Sequence, residues 1–349
     1  MKNGALKIIT RKKKIPVSFS LVVLILFFKF VAPVVAVDSS EKFSVIMPAD
    51  SSMVEGDLIS FVIKVNKSNA DTIKITRNKT EIASFTHLGS LSWGKDYLCK
   101  VVSLEFGPNE FVIDALEKGG IVETKKLTVF YRSDISKRFS INPPEFRRNP
   151  FHKEDREVGC MKCHRTDVSE EDMKPAKPEG SLCYPCHKMI TAYRNVHGPA
   201  ARWACLTCHD KNTRPVKYTT VKPDRDLCFT CHKEKKEEWK SKKYVHGPTA
   251  TGKCTICHNP HASDNEFWLR KPTWDLCTGC HEDRASGSHV IVGFGSSTHP
   301  TRGRPDPSRY GKELSCASCH NPHASNSKSL FINDADDLYD LCKVCHKNK

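Results

Sequence analysis

The sequence predicts two unlike regions in one chain. The first is an all-β sandwich, and the second is a run of short helices and irregular chain organised around bound groups rather than an apolar core. Three observations predict this. Residues 38–132 run in short alternating apolar and polar segments and hold one cysteine and one histidine. Residues 151–349 hold the other sixteen of the seventeen cysteines. Those sixteen fall as eight copies of Cys-x-x-Cys-His.

Taken in order, residues 1–36 read as a secretory signal peptide. Lys2, Lys7, Arg11, Lys12, Lys13 and Lys14 make a basic start, Ile15 to Phe28 is apolar, and Val34-Val35-Ala36 offers small residues for cleavage. Lys29 leaves the apolar run short of the ~20 residues of a membrane span. The expected mature chain starts near Val37, with no integral membrane span and no lipid-anchor cysteine. It is exported to the periplasm, or onward to the outer membrane or the exterior.

Seven strands follow: Phe43 to Met47, Leu58 to Val65, Thr72 to Thr76, Ile82 to Thr86, Tyr97 to Leu104, Glu110 to Ala115 and Ile121 to Tyr131. Gly107-Pro108-Asn109 and Gly119-Gly120 mark turns between the last of them. Seven short strands within residues 37–132 resemble an immunoglobulin-like sandwich, without the antibody-type cysteine pair. Cys99 is expected as a buried small apolar residue, and His87 as a surface residue. The polar, proline-containing residues 133–150 read as a linker.

In the region from 151 to 349 the motifs begin at Cys160, Cys183, Cys205, Cys228, Cys254, Cys277, Cys316 and Cys342, numbered here 1 to 8. The second thiols are Cys163, Cys186, Cys208, Cys231, Cys257, Cys280, Cys319 and Cys345. His164, His187, His209, His232, His258, His281, His320 and His346 follow them. Two thiols three residues apart can add across the two vinyl groups of one porphyrin, and the adjacent histidine can ligate its iron. Four-thiolate zinc sites and disulfides also use paired cysteines, but neither requires a histidine after the second one. Eight such histidines, in a chain with sixteen in all, favour eight covalently bound c-type haems.

The net charge of +15 suggests nucleic acid until it is divided. Residues 1–36 carry seven basic groups and no acidic ones, which leaves +8 on the mature chain. Eight ferric haems with ionised propionates add about −1 each, so no nucleic-acid partner is needed. Lys233 to Lys243 reads as a solvated helix face.

The motifs repeat as doublets, 23, 23, 23 and 26 residues apart. Leucine precedes every even motif (Leu182, Leu227, Leu276, Leu341). A histidine lies eight positions before the first three odd ones (His152, His197, His246), and His299 stands further upstream of the fourth. His258 to Ser263 and His320 to Ser325 share the run His-Asn-Pro-His-Ala-Ser. These residues resemble the doubled Cys-x-x-Cys-His family of bacterial multihaem cytochromes. That resemblance implies closely packed bis-histidine haems used in respiratory electron transfer. Carried over, it makes His246 and His261 distal ligands in the third repeat and His299 and His323 in the fourth, with His152 and His197 in the first two. Asp167 and Asn212 stand where His261 and His323 are matched, so two haems lack their expected distal histidine. His289 and His87 complete the eight histidines outside the motifs, and Met173 and Met189 are the alternatives.

With about 25 residues per haem, the haems must serve as the core. Short helices are expected around the even motifs, over Asp226 to Lys243 and Asp334 to Lys347. Three functions compete. The first is an electron carrier, not an enzyme, between a membrane quinol-linked donor and an outer-membrane or extracellular acceptor. The second is a self-associating subunit of a cytochrome filament or outer-membrane conduit. The third is an enzyme resembling octahaem nitrite, hydroxylamine or tetrathionate converters.

Overall fold

The computed structural model describes residues 41–349 apart from 67–69, 87, 89–95, 162–163, 170, 174, 176, 287–288, 290–298 and 348–349. The signal segment, His87 and Cys163 therefore lie outside the described residues, as does the side chain of Met173.

Alternating apolar residues build two sheets that face each other. Strands β1 (Phe43–Met47), β2 (Ser52–Val54), β3 (Leu58–Val65), β4 (Thr72–Arg77), β5 (Thr80–Phe85), β6 (Tyr97–Ser103), β7 (Gly107–Glu117) and β8 (Gly120–Tyr131) appear in order, with β9 (Arg147–Arg148) after them. One sheet is ordered β1-β3-β6 and the other β5-β4-β7-β8-β2-β9. The inward residues of each strand pack across the gap: Phe43, Phe61 and Ile63 from the smaller sheet meet Ile73, Ile75, Phe111, Ile113 and Val129 from the larger. Phe61 and Phe111 meet edge to face with ring centroids 4.8 Å apart. All seven expected strands are present, but Gly107-Pro108-Asn109, expected as a turn, begins β7 instead and pairs with Tyr131, Phe130 and Val129 of β8. Strand β2 escapes pattern reading because it is three residues long; it is held by parallel pairing to β8. This region is a β-rich, open sandwich.

Residues 133–150, expected as a linker, are packed instead. Ile135 is buried, Lys137–Phe139 makes a 3-10 turn, and β9 pairs with β2. The Phe139 ring also covers Gly107, whose positive φ and missing Cβ admit it. Residues 41–349 form one compact unit. Ile135 packs against Gly279, which lies inside motif 6 and where a Cβ would come within 2.8 Å. Lys271 sits 4.3 Å over the Phe106 ring. Tyr131 bonds Arg270, and Tyr193 bonds Asp57.

Cys99 is not buried in the core. On β6 its neighbour Leu98 points inward, so by strand alternation Cys99 faces outward, and it is exposed. That outer face lies close to motifs 1 and 2, where the Cys160 and Cys186 thiolates and that of Cys99 disfavour one another.

From residue 151 onward the helices are short. The longest are Lys233–Lys240 and Thr273–Cys280, eight residues each. The helix expected over Asp226 to Lys243 is broken into Asp224–Cys228 and Lys233–Lys240, because the motif residues between them turn; His232 has φ −91° and ψ 44°. The helix expected over Asp334 to Lys347 shrinks to Leu338–Lys343, capped by the Asp337 carboxylate on the Asp340 N–H. Lys233–Lys240 is solvated as expected, with Trp239 alone partly covered. Among the described residues no helix is long and apolar enough to cross a membrane.

Candidate functional site

The repeats interlock through two-residue strands. Asn195–Val196, just before His197, pairs with Ala262–Ser263, just after His261. Tyr244–Val245, before His246, pairs with Ala324–Ser325, after His323. The second repeat is thereby stitched to the third, and the third to the fourth. The shared run His-Asn-Pro-His-Ala-Ser explains itself here. The Asn259 and Asn321 side-chain oxygens accept the N–H of His261 and His323 at 3.0 Å. Carbonyls of Pro260 and Pro322 face the Nδ1 of His197 and His246 at 3.0 and 2.9 Å. The Ser263 and Ser325 hydroxyls donate to Leu269 and Phe331 carbonyls.

This stitching brings imidazoles together in pairs. Motif histidines His187, His232, His281 and His346 face His152, His197, His246 and His299, with ring centroids 6.1, 6.3, 6.2 and 6.5 Å apart. His209, His258 and His320 face His261, His323 and His289 at 6.1, 6.0 and 5.9 Å. Metal–imidazole nitrogen bonds are about 2.0–2.1 Å, so two imidazoles on opposite sides of one iron hold their ring centres about 6 Å apart. All seven separations fit. Motif 7 also borders a cleft of about 680 Å³ lined by His289, Cys319, His320, Phe331, Leu338 and Tyr339.

The tautomers fit as well. Carbonyl oxygens only accept, so the Nδ1 atoms of His197, His209, His246, His258, His299 and His320 each carry the proton donated to a backbone carbonyl. Nε2 is left with its lone pair for a metal. Burial, with the facing histidine as a second cause, pushes His187 and His323 down to about 4; His261 is held at about 4 by burial and His209. These rings are neutral, as ligation requires.

The pairing follows a rule that sequence alone did not give. Each even motif takes the upstream histidine of its own doublet. Motifs 3 and 5 take the histidine that follows the odd motif of the next doublet. Asp167 therefore costs nothing, since no doublet precedes the first, whereas Asn212 leaves motif 1 without its partner. His289 faces His320 of motif 7, which has no doublet after it. One motif histidine, rather than two, is left over: His164 is exposed and faces no second imidazole among the described residues. Met189, weighed as a ligand, is 39% exposed.

Thiols connect the motifs in sequence order. Between doublets the first cysteines hydrogen-bond: Cys183 with Cys205, Cys228 with Cys254, Cys277 with Cys316. Those bonds hold Cys183 and Cys316 at about 7 and lower Cys254, while raising their partners. Within doublets other cysteines lie close enough for their thiolates to repel. Those pairs are Cys160 and Cys186, Cys208 and Cys231, Cys257 and Cys280, and Cys319 with Cys345. Among the described residues no three histidine, cysteine or acidic side chains converge as a zinc site needs.

Buried charge is concentrated at the first junction. Glu157 accepts from His152 Nδ1 at 2.7 Å, from Lys217 Nζ at 2.5 Å and from the Thr166 hydroxyl at 3.2 Å. Lys217 also reaches Asp167 at 2.6 Å. Burial opposes the Lys217 charge, but Asp167 and Glu157 outweigh it and raise the pKa. Sequence reading missed Glu157 and Lys217. The signal available was that Asn212 breaks the repeat in the segment that carries Lys217.

The family described as "Doubled CXXCH motif" matches residues 151–191, 197–237, 246–286 and 309–349. Among curated proteins no sequence matches the chain. Solved structures with some similarity include fibronectin(III)-like modules of Clostridium thermocellum CbhA, 13% identical over 26% of this chain and 94% of that one, with a TM-score of 0.20. The sulfur carrier protein SoxY from Chlorobium limicola f thiosulfatophilum is 15% identical over 26% and 76%, with a TM-score of 0.21. The extracellular domain of mouse leukocyte-associated immunoglobulin-like receptor 1 is 10% identical over 24% and 91%, with a TM-score of 0.18.

Proposed function

Since residues 151–349 belong to the doubled CXXCH motif family, a multihaem c-type cytochrome region with covalently bound haems, we propose that the chain is an exported octahaem electron carrier. One haem is attached at each motif, and haems 2 to 8 are each held between two histidines. The observation that carries this reading is the unbroken succession of thiol neighbours from motif 1 to motif 8. Attachment points close enough to influence one another would keep the haems held there close as well, which is what short-range electron transfer needs.

Bound haem supplies a reversible one-electron couple at each motif. The residues do the rest. The cysteine pairs fix each site in the chain. The backbone carbonyls on Nδ1 lock ring orientation and tautomer. The facing imidazoles would hold the haem iron from two sides, and such ligation would keep potentials low relative to Met/His pairs. The donor is a quinol-linked membrane protein and the acceptor lies at or beyond the outer membrane. The outward face of the sandwich offers a docking surface, for a partner protein or for a second copy in a filament.

One observation favours a second reading. His164 faces no imidazole among the described residues, so motif 1 is where an exogenous ligand could reach iron. An enzyme of the nitrite, hydroxylamine or tetrathionate kind would place its chemistry there.

A pyridine haemochrome assay tests the main reading: eight haems per chain that resist acid-acetone extraction, on a mature protein starting near Val37. Fewer than seven haems, or zinc in place of iron, overturns it.

A further inference from the structure

The four upstream histidines occupy equivalent places, but their Nδ1 partners differ. His197, His246 and His299 meet proline carbonyls at 3.0, 2.9 and 2.9 Å. His152 meets a carboxylate, Glu157, at 2.7 Å. Among the described residues no other paired histidine has a carboxylate on its ring nitrogen. Glu157 is 1% exposed, so solvent does not screen it. Lys217 and Asp167 complete the group. Asp167 is 66% exposed and its charge is screened by solvent, so Glu157 and Lys217 are the buried charges of the group.

We propose that Glu157 tunes the second haem through His152, holding its reduction potential below those of haems 4 and 6. The proposal rests on the ligation reading above, in which His152 and His187 share one iron. A carboxylate accepting from Nδ1–H draws the proton away more strongly than a neutral carbonyl and makes the ring a better electron donor. A better donor favours ferric over ferrous iron. Haem 2 is then the lowest-potential of haems 2, 4 and 6, so at a given potential an electron rests there less often than on haems 4 and 6. The bland role for Glu157 is to neutralise buried Lys217. That role would make its replacement destabilising but would leave the potential of haem 2 alone.

The test is potentiometry of the whole protein followed by low-temperature electron paramagnetic resonance. The haem 2 signal is identified as the one that leaves the low-spin set in His152→Ala. In Glu157→Gln, which keeps an acceptor but removes the charge, the ferrous-to-ferric ratio of haem 2 at a fixed potential should rise about tenfold, equal to about 59 mV for one electron. The other haems should shift far less. An unmoved haem 2 overturns the proposal, and so does an equal shift of all haems, which would mark a diffuse charge effect. Thr166→Val provides a second arm if Glu157→Gln does not accumulate. It removes one competing donor from the carboxylate, so haem 2 should move down; no change or an upward move overturns the proposal. If His152→Ala removes no low-spin signal and opens no haem to carbon monoxide, it is the ligation reading that fails, a result distinct from an intact protein with an unmoved potential.

Discussion

The sandwich and the motif region solve the same stability problem in different ways. Between residues 43 and 131 a continuous apolar core includes Phe43, Phe61, Ile73, Phe111 and Val129, all at most 1% exposed. From residue 151 on, the buried apolar residues described are Trp203, Ala262, Leu276, Leu314, Ala324 and Ala335, half of them alanines and scattered over the repeats. Polypeptide with so little apolar burial cannot offset its own ordering entropy. The second region must be assembled around its haems and by short cross-repeat strands.

Withholding haem should break this contrast most sharply. Expressed without haem attachment, residues 151–349 should lose protection from proteolysis and hydrogen exchange while the sandwich stays protected. A motif region that remains protected without haem would show that it has a core of its own. The reverse lesion is Phe111→Ala. It should cost the sandwich about 3–5 kcal/mol, visible as a lower denaturation midpoint in far-ultraviolet circular dichroism, with haem content and the Soret spectrum unchanged. A changed Soret spectrum would mean the two regions share one core.

The seam between them is probed by Gly279→Val. Its side chain would collide with Ile135, whose side chain lies 2.8 Å from the position a Cβ would occupy. We expect a loss of about 1–3 kcal/mol in overall stability, read by thermal unfolding, with all haems still attached. A neutral result would show that the regions are not pressed together there.

Acid gives the smallest effect. Asp334 is held down to about 2, chiefly by its hydrogen bond with Lys242 at 2.6 Å and also by the Asn326 N–H. A carboxylate with a depressed native pKa stabilises fully above its unfolded value of about 3.9 and loses that contribution as pH falls towards the native value. Between pH 4 and pH 2 the tie between the third and fourth repeats should loosen slightly. Asp334→Asn should reduce that part of the pH dependence of stability; an unchanged acid limb would show that Asp334 does not contribute.

The sandwich was legible because alternation reports one buried face per strand, and all seven strands stand where the pattern puts them. What was not legible depended on contacts distant in sequence. Cys99 was expected inside, yet on β6 it takes the outward place beside Leu98. Helices were expected to run through the even motifs, but the motif residues turn at His232. The motifs and their eight histidines were plain from spacing. Their pairing was not, because His261 and His323 are passed back to the preceding doublet by strand pairs 66 to 81 residues apart in sequence. Among the described residues, that exchange leaves one motif histidine, His164, without a facing imidazole, where two were expected.

Seven facing imidazole pairs carry the proposed haem ligation. Low-temperature electron paramagnetic resonance of the oxidised protein, quantified against its haem content, tests them together. We predict eight thioether-bound haems, seven of them low-spin with two imidazoles and closed to carbon monoxide after reduction. Fewer than seven low-spin irons, or carbon monoxide binding at several haems, would contradict it.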